Sequence, residues 1–264
     1  MSDPDHVTFT AGDASVTVDL RHGGRLSSLS IGGVELLARI GTGAIEWGAY
    51  IMAPYAGRVR HGVVRWGDRA YQLPVTMPPH AIHGTVLSRR WRQISDATFA
   101  CDLGPDWPWP GLVTHTIHLT AQSLHLGLTV TAHGAPFPAS AGWHPWFRRH
   151  LPGCAPAVLS LDAATMLRRG VDGLPDGTRV TPPAGPYDDC FTDLRSPAAI
   201  NWPGGPHLTV DSSCDYLVVY DEHPDALCLE PQTAPPNSLD QAESVVRPTS
   251  PLSATTTWTW SALP

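Results

Sequence analysis

The chain of 264 residues contains no lysine, so all 17 of its basic side chains are arginine. Chemistry that depends on a lysine amine or its compact charge is thereby excluded, from Schiff-base aldol cleavage and pyridoxal phosphate catalysis to the P-loop of nucleotidases. Charge as a whole is scarce, at 16% of residues with a net value of −7, and no basic block gathers it. A nucleic-acid partner needs a clustered positive face and is not expected. The densest group, Arg89, Arg90 and Arg92, reads as a solvated strand face. No apolar run is long enough to span a bilayer, so no membrane partner is expected. The opening MSDPDHVTFT is acidic where a secretory signal would be basic and then apolar, which predicts a cytoplasmic protein. The five cysteines, Cys101, Cys154, Cys190, Cys214 and Cys228, are odd in number and include no CxxC pair. Neither a disulfide framework nor a zinc site follows, and buried thiols in a reducing compartment do.

What is present points to β-structure. Twenty-seven prolines and 24 glycines spread along a chain that is 42% hydrophobic describe a turn-rich globular protein. Residues 15–20, 125–133, 215–221 and 255–261 alternate with period two, as half-buried strands do. Turn residues punctuate the chain at 31–34, 66–70, 105–111, 174–179 and 202–206. Helical periodicity is scarce. Many short strands with frequent turns predict an all-β fold, a large antiparallel β-sandwich. All-β folds of this length often form one unit, so residues 1–264 are read as a single domain. The stretch from Gly170 to Pro186 lacks a strand pattern and reads as a long loop, either functional or merely connecting.

Two proline-containing runs carry the candidate chemistry. In LEPQTAPPNSL, Glu230 follows an apolar strand and precedes Pro231, which places its carboxylate at a strand end on rigid backbone. In GWHPWF, His144 precedes Pro145 and lies between Trp143 and Trp146. A carboxylate and an imidazole make a candidate general base and general acid. A strand-end carboxylate is more often simply solvated, and a histidine among aromatics is more often a satisfied core residue. Arg58 offers a planar fork of donors suited to adjacent hydroxyls, and His83 a neutral hydrogen-bonding ring. In YDDCFTDL, Asp188 and Asp189 precede Phe191; if the run is extended only one of the two aspartates faces the cleft, where carboxylate and ring suit hydroxyl acceptance and stacking on a pyranose, whereas no calcium-loop spacing surrounds them. Of the ten tryptophans only Trp143 and Trp146 are assigned to the site region, because Trp258 and Trp260 alternate like packing residues.

PYAGRVRHG, AIHG, GWHPWF, DDCFTDL and EPQTAPPNS occur in that order. In this order and spacing the chain resembles the aldose 1-epimerase (galactose mutarotase) family, most closely its short bacterial branch. The resemblance implies a large antiparallel β-sandwich with an open sugar cleft, with neither metal nor organic cofactor. It implies Glu230 as general base and His144 as general acid, with Arg58, His83 and Asp188 holding the sugar's ring oxygen and hydroxyls. The expected activity is interconversion of the α and β anomers of a free aldose such as glucose or galactose. Two alternatives stand beside it. A hexose-phosphate 1-epimerase would need a cationic pocket, for which Arg58, Arg60, Arg148 and Arg149 are candidates. A non-catalytic sugar-binding or sensing protein would have no need of the acid–base pair. The chain departs from the family's pattern at Gly57, where asparagine is common, at Gln232, where methionine is common, and at Ser238, where alanine is usual. The last two are expected to stand outside the proton-transfer pair.

Overall fold

A computed structural model describes residues 4–240 and 245–261. It is 55% strand and 1% helix, an all-β fold of large antiparallel sheets. The wider, eleven-stranded sheet runs in spatial order through His6–Ala11, Ala14–Asp19, Arg25–Ile31, Ala49–Met52, Gly142–Arg148, Ala226–Gln232, Tyr216–Tyr220, Asp188–Leu194, Ala163–Arg169 and Pro175–Val180, with Val34–Glu35 pairing onto Arg25–Ile31. The eight-stranded sheet runs through Arg92–Ser95, Thr98–Asp102, Gly111–Leu119, Ser123–Ala132, Leu252–Trp260, His207–Ser212, Ala198–Asn201 and Val158–Ser160. One apolar core includes residues of both sheets, among them Val16, Ile51, Trp143 and Phe147 from the wider and Val113, Leu126, Val130 and Trp258 from the narrower. Phe147 meets Trp258 edge to face, with ring centroids 5.2 Å apart.

The alternating segments fall in strands, and their alternation is the cause of the burial pattern. Ser123–Ala132 and Leu252–Trp260 bury every second side chain, and Trp258 and Trp260 lie in the core. The Gly170–Pro186 stretch differs from expectation because it contains the strand Pro175–Val180, which pairs Val180 with Met166 and Arg179 with Leu167. It closes one edge of the wide sheet and has no fully buried face, so no apolar alternation marks it. Of the five cysteines, all unpaired, Cys101, Cys190 and Cys228 are buried while Cys154 and Cys214 are half-buried.

Glu230 also differs from its expected place. It is not at a strand end but inside Ala226–Gln232, near the centre of the wide sheet, opposite Val218 on one side. On the other side Gly142 pairs with Gln232 and Trp146 with Cys228, so His144 stands directly across from Glu230. Between those two pairs the seam has no backbone pairing. Pro145 and Pro231 fall in this interval, and neither has an N–H to give a ladder. Two central strands thus keep register while parting locally, at the place where the imidazole and carboxylate meet.

Candidate active site

His144 and Glu230 share one face of their strands, and His144 Nε2 lies 3.1 Å from Glu230 Oε1. Both are buried, at 6% and 2% exposure, yet both line a cavity of about 390 Å³. Burial, followed by the charge of Asp188, pushes the Glu230 carboxyl well above the usual carboxylate range, against the opposing pull of Arg58 and of a Gln232 hydrogen bond. Burial draws the His144 imidazole down to about 3, and the positive charges of Arg25 and Arg58 act in the same direction. The uncharged pair, carboxylic acid and neutral imidazole, is therefore the form that burial favours.

Arg58 and His83 arrive on a two-stranded ribbon in which Arg58–Val59 pairs with Ala81–Ile82. The His83 N–H donates to Gly57 O at 2.9 Å. His83 adopts a left-handed φ of 61°, and the next residue, Gly84, has φ 85°. A Cβ at Gly84 would fall 2.0 Å from the Ala53 carbonyl oxygen, so only glycine lets the backbones meet there. The ring of His83 stands edge-on to His144, with centroids 5.0 Å apart and an interplanar angle of 85°. Burial holds its imidazole well below the ordinary histidine value, leaving it neutral.

Asp188 opens its strand with its carboxylate in the cavity wall, hydrogen-bonded by Arg169 and 4.0 Å from Arg58 Nη2. The motifs lock one another in place. Thr233 donates its N–H to Ala141 O at 2.9 Å and accepts the Ala141 N–H on Oγ1 at 2.9 Å, which ties the TAPPN turn to the His144 strand. Asn237 donates to Arg58 O at 2.8 Å and accepts the Arg60 N–H at 2.8 Å, which ties the same turn to the Arg58 ribbon.

Glu230, His144, His83, Arg58, Asp188 and Trp146 thus line one cavity. Trp143 and Phe191 do not. Trp143 is one residue out of phase with His144 and points between the sheets, where its indole N–H donates to His115 Nε2 at 3.3 Å. Phe191 is out of phase with Asp188 for the same reason and packs in the core against Tyr187. Period-two parity separates both from the site, and both assignments are corrected.

Other residues here were not anticipated. Gln232 donates its amide to Glu230 Oε2 at 3.3 Å, so it does touch the acid–base pair. The signal was present in the sequence, since residues two apart on a strand share a face. Tyr50 stacks on His144 at 4.6 Å from the facing strand, a relation set by long-range pairing with no local mark. Arg25, 1% exposed, donates to the carbonyls of His22, Ala44, Trp47 and Leu87, and Trp146 donates to Ile45 O at 2.9 Å. These bonds hold the segment from which Ile45 and Glu46 enter the cavity wall.

Four buried polar atoms around this cavity have no protein partner: Tyr50 Oη, His83 Nδ1, His144 Nδ1 and Gln232 Oε1. Such clustering marks a surface organised for a polar ligand, because buried polar groups are otherwise paired. Of the four arginines considered for a phosphate, only Arg58 lines the cavity. Arg60 pairs with Asp172, Arg148 with the Leu37 carbonyl, and Arg149 with the carbonyls of Asp221, His223 and Ala226. Among the described residues one group has metal-capable side chains close together, His144, Cys228 and Glu230, with ligand atoms within 4.8 Å of each other. Burial and the charge of Glu230 push the Cys228 thiol well above its ordinary range, so it offers no ready thiolate.

The large antiparallel sheets are those of the galactose mutarotase-like fold. The family described as aldose 1-epimerase matches residues 5–257, and the chain belongs to that family. Among solved structures, a galactose mutarotase-like protein from Clostridium acetobutylicum superposes with a TM-score of 0.82 at 16% identity, over 97% of this chain and 95% of that one. A galactose 1-epimerase from Lactobacillus acidophilus superposes with a TM-score of 0.78 at 17% identity, over 96% and 92%. The uncharacterized protein YphB of Escherichia coli is 31% identical over 110 residues, a stretch that spans 39% of this chain and 38% of that relative's length.

Proposed function

We propose that this protein is a mutarotase that interconverts the α and β anomers of a free aldohexose such as glucose or galactose. The observation that carries the reading is the 3.1 Å contact between Glu230 and His144 in the wall of a cavity ringed by unpartnered polar atoms. Membership of the aldose 1-epimerase family supports it.

A cyclic hemiacetal opens when O1 loses a proton and the ring oxygen gains one, so one base and one acid are needed about a single carbon. Glu230 as carboxylate takes the O1 proton and His144 as imidazolium protonates the ring oxygen. The C1–ring oxygen bond breaks and the O1 electron pair closes the carbonyl. The pair is then carboxylic acid plus neutral imidazole, the form that burial favours. Rotation about C1–C2 turns the aldehyde, and reversal of both transfers closes the other anomer. The proton count of the pair is unchanged at the end, and the direct contact lets one proton pass between the two groups. Arg58, Asp188 and His83 hold hydroxyls, and Trp146 supplies an apolar ring face. Residues 1–264 act as one unit, in the cytoplasm.

Polarimetry of freshly dissolved α-D-glucose and α-D-galactose tests the proposal. Enzyme-dependent loss of excess rotation supports it. Rates equal to buffer with every common aldose would leave a sugar-binding protein, and conversion of a sugar phosphate alone would make it a hexose-phosphate epimerase. The single arginine lining the cavity favours an uncharged sugar.

A further inference from the structure

The proposed reaction places a positive charge on a side chain that burial disfavours charging. His144 is therefore the group that needs help, and among the described residues no carboxylate other than its own partner Glu230 lies within ion-pair distance of it. Two aromatic rings do lie close and nearly parallel to the imidazole. Tyr50, directly opposite on the strand Ala49–Met52, has its centroid 4.6 Å away with planes 24° apart. Trp146, two residues on along the same strand, is 5.3 Å away at 23°. Tyr50 itself is completely buried, so its position is fixed by packing.

We infer that Tyr50 is a positioning and charge-stabilising residue of this site, acting through His144. Resting on the acid–base reading, the inference says that the negative π-face of Tyr50, with that of Trp146, favours the imidazolium over the neutral ring. A cation within about 6 Å of an aromatic centroid gains from the ring quadrupole, most strongly where water is excluded. Stacking also fixes the imidazole plane, so that Nε2 stays turned to Glu230. The contribution belongs to the charged state and so appears in kcat. The Tyr50 hydroxyl has no protein partner and is not what the inference requires.

Graded fluorination of the ring separates this role from packing. Tyr50→Phe is the reference for the series, because it leaves the ring face in place while any sugar contact of the lost hydroxyl is read separately as a rise in KM. Replacing that phenylalanine by mono-, di- and trifluorophenylalanine weakens the quadrupole with almost no change of shape. The logarithm of kcat is expected to fall stepwise with fluorine number, by about tenfold in total, while KM stays constant. Tyr50→Leu, which removes the ring, is expected to lose at least as much activity. A flat kcat across the fluorinated series in a protein whose wild type turns over sugar overturns the role of Tyr50 and leaves the mutarotase reading intact. A wild type with no turnover on any aldose removes both.

Discussion

His144 and Glu230 face each other across the one interval of their shared seam where neither strand pairs, Nε2 to Oε1 at 3.1 Å. Pro145 and Pro231 bring this about by withholding the backbone donors that a continuous ladder would use. The sheet on either side keeps the two strands in register. Precision and local openness, which a catalytic pair needs together, thus come from the same two prolines.

Removing either member of that pair should stop chemistry without unfolding the protein. Glu230→Gln and His144→Asn are each expected to lower kcat by about 10²–10⁴-fold, with sugar binding by calorimetry largely kept. The double variant should be scarcely worse than the poorer single one, because the two groups act as a unit.

The pH profile should lack the inflection of an ordinary histidine. Glu230 is raised, so the pair loses its proton only once pH passes well above the usual carboxylate range. His144 is depressed to about 3, so a second proton arrives only near that pH. Between these limits the pair holds one proton, and polarimetric kcat/KM is expected to show no inflection from His144 near its ordinary pKa of about 6.5. A bell centred on 6.5 would contradict this.

His115 should make the fold acid-sensitive from outside the cavity. It is completely buried, with its pKa pulled down to about 3 by desolvation. The unfolded chain takes up a proton as pH falls below about 6.5, whereas the folded chain resists until about 3. Nothing is lost above 6.5, and stability declines between the two values by up to about 1.4 kcal/mol per pH unit. Urea midpoints at pH 7.5 and 4.5 check it. His115→Leu leaves the Trp143 N–H unpaired at both pH values, but its loss on acidification should be about 2–3 kcal/mol smaller than the wild type's.

Arg25 should matter to stability although it does not itself line the cavity. Replacement by methionine leaves buried carbonyls of Trp47 and Leu87 without their guanidinium donors, and removes a charge seated 4.1 Å over the Trp47 ring. A loss of about 3 kcal/mol is expected, read as a fall in thermal midpoint. KM should rise as well, because the same side chain holds the segment that carries Ile45 and Glu46 into the cavity wall.

Arg169 reaches Asp188, Asp189 and Glu222, and Asp188 keeps its place in the wall largely through it. Arg169→Met is expected to raise KM about tenfold with kcat little changed, the signature of lost ground-state binding. An equal fall in kcat would show that Asp188 acts in the transition state.

Much of this molecule was legible along the chain. Alternation in 125–133 and 255–261 specified strands because each has one buried face, and parity along them was fixed with it. Pro175–Val180 was not legible, since an edge strand without a fully buried face carries no alternation. The same parity, applied strictly, would have kept Trp143 and Phe191 out of the site and brought Gln232 in.

Composition and motif by themselves determined the absence of amine chemistry, the β-class and the identity of the acid and base candidates, because these depend on residue type and on spacing of two. Only the tertiary structure decided that residues 144 and 230, far apart in the chain, meet at one seam, and that Tyr50 comes to lie over the imidazole. Strand pairing is a relation between distant segments, set by the packing of the whole core, and no local pattern encodes which strand will be whose neighbour.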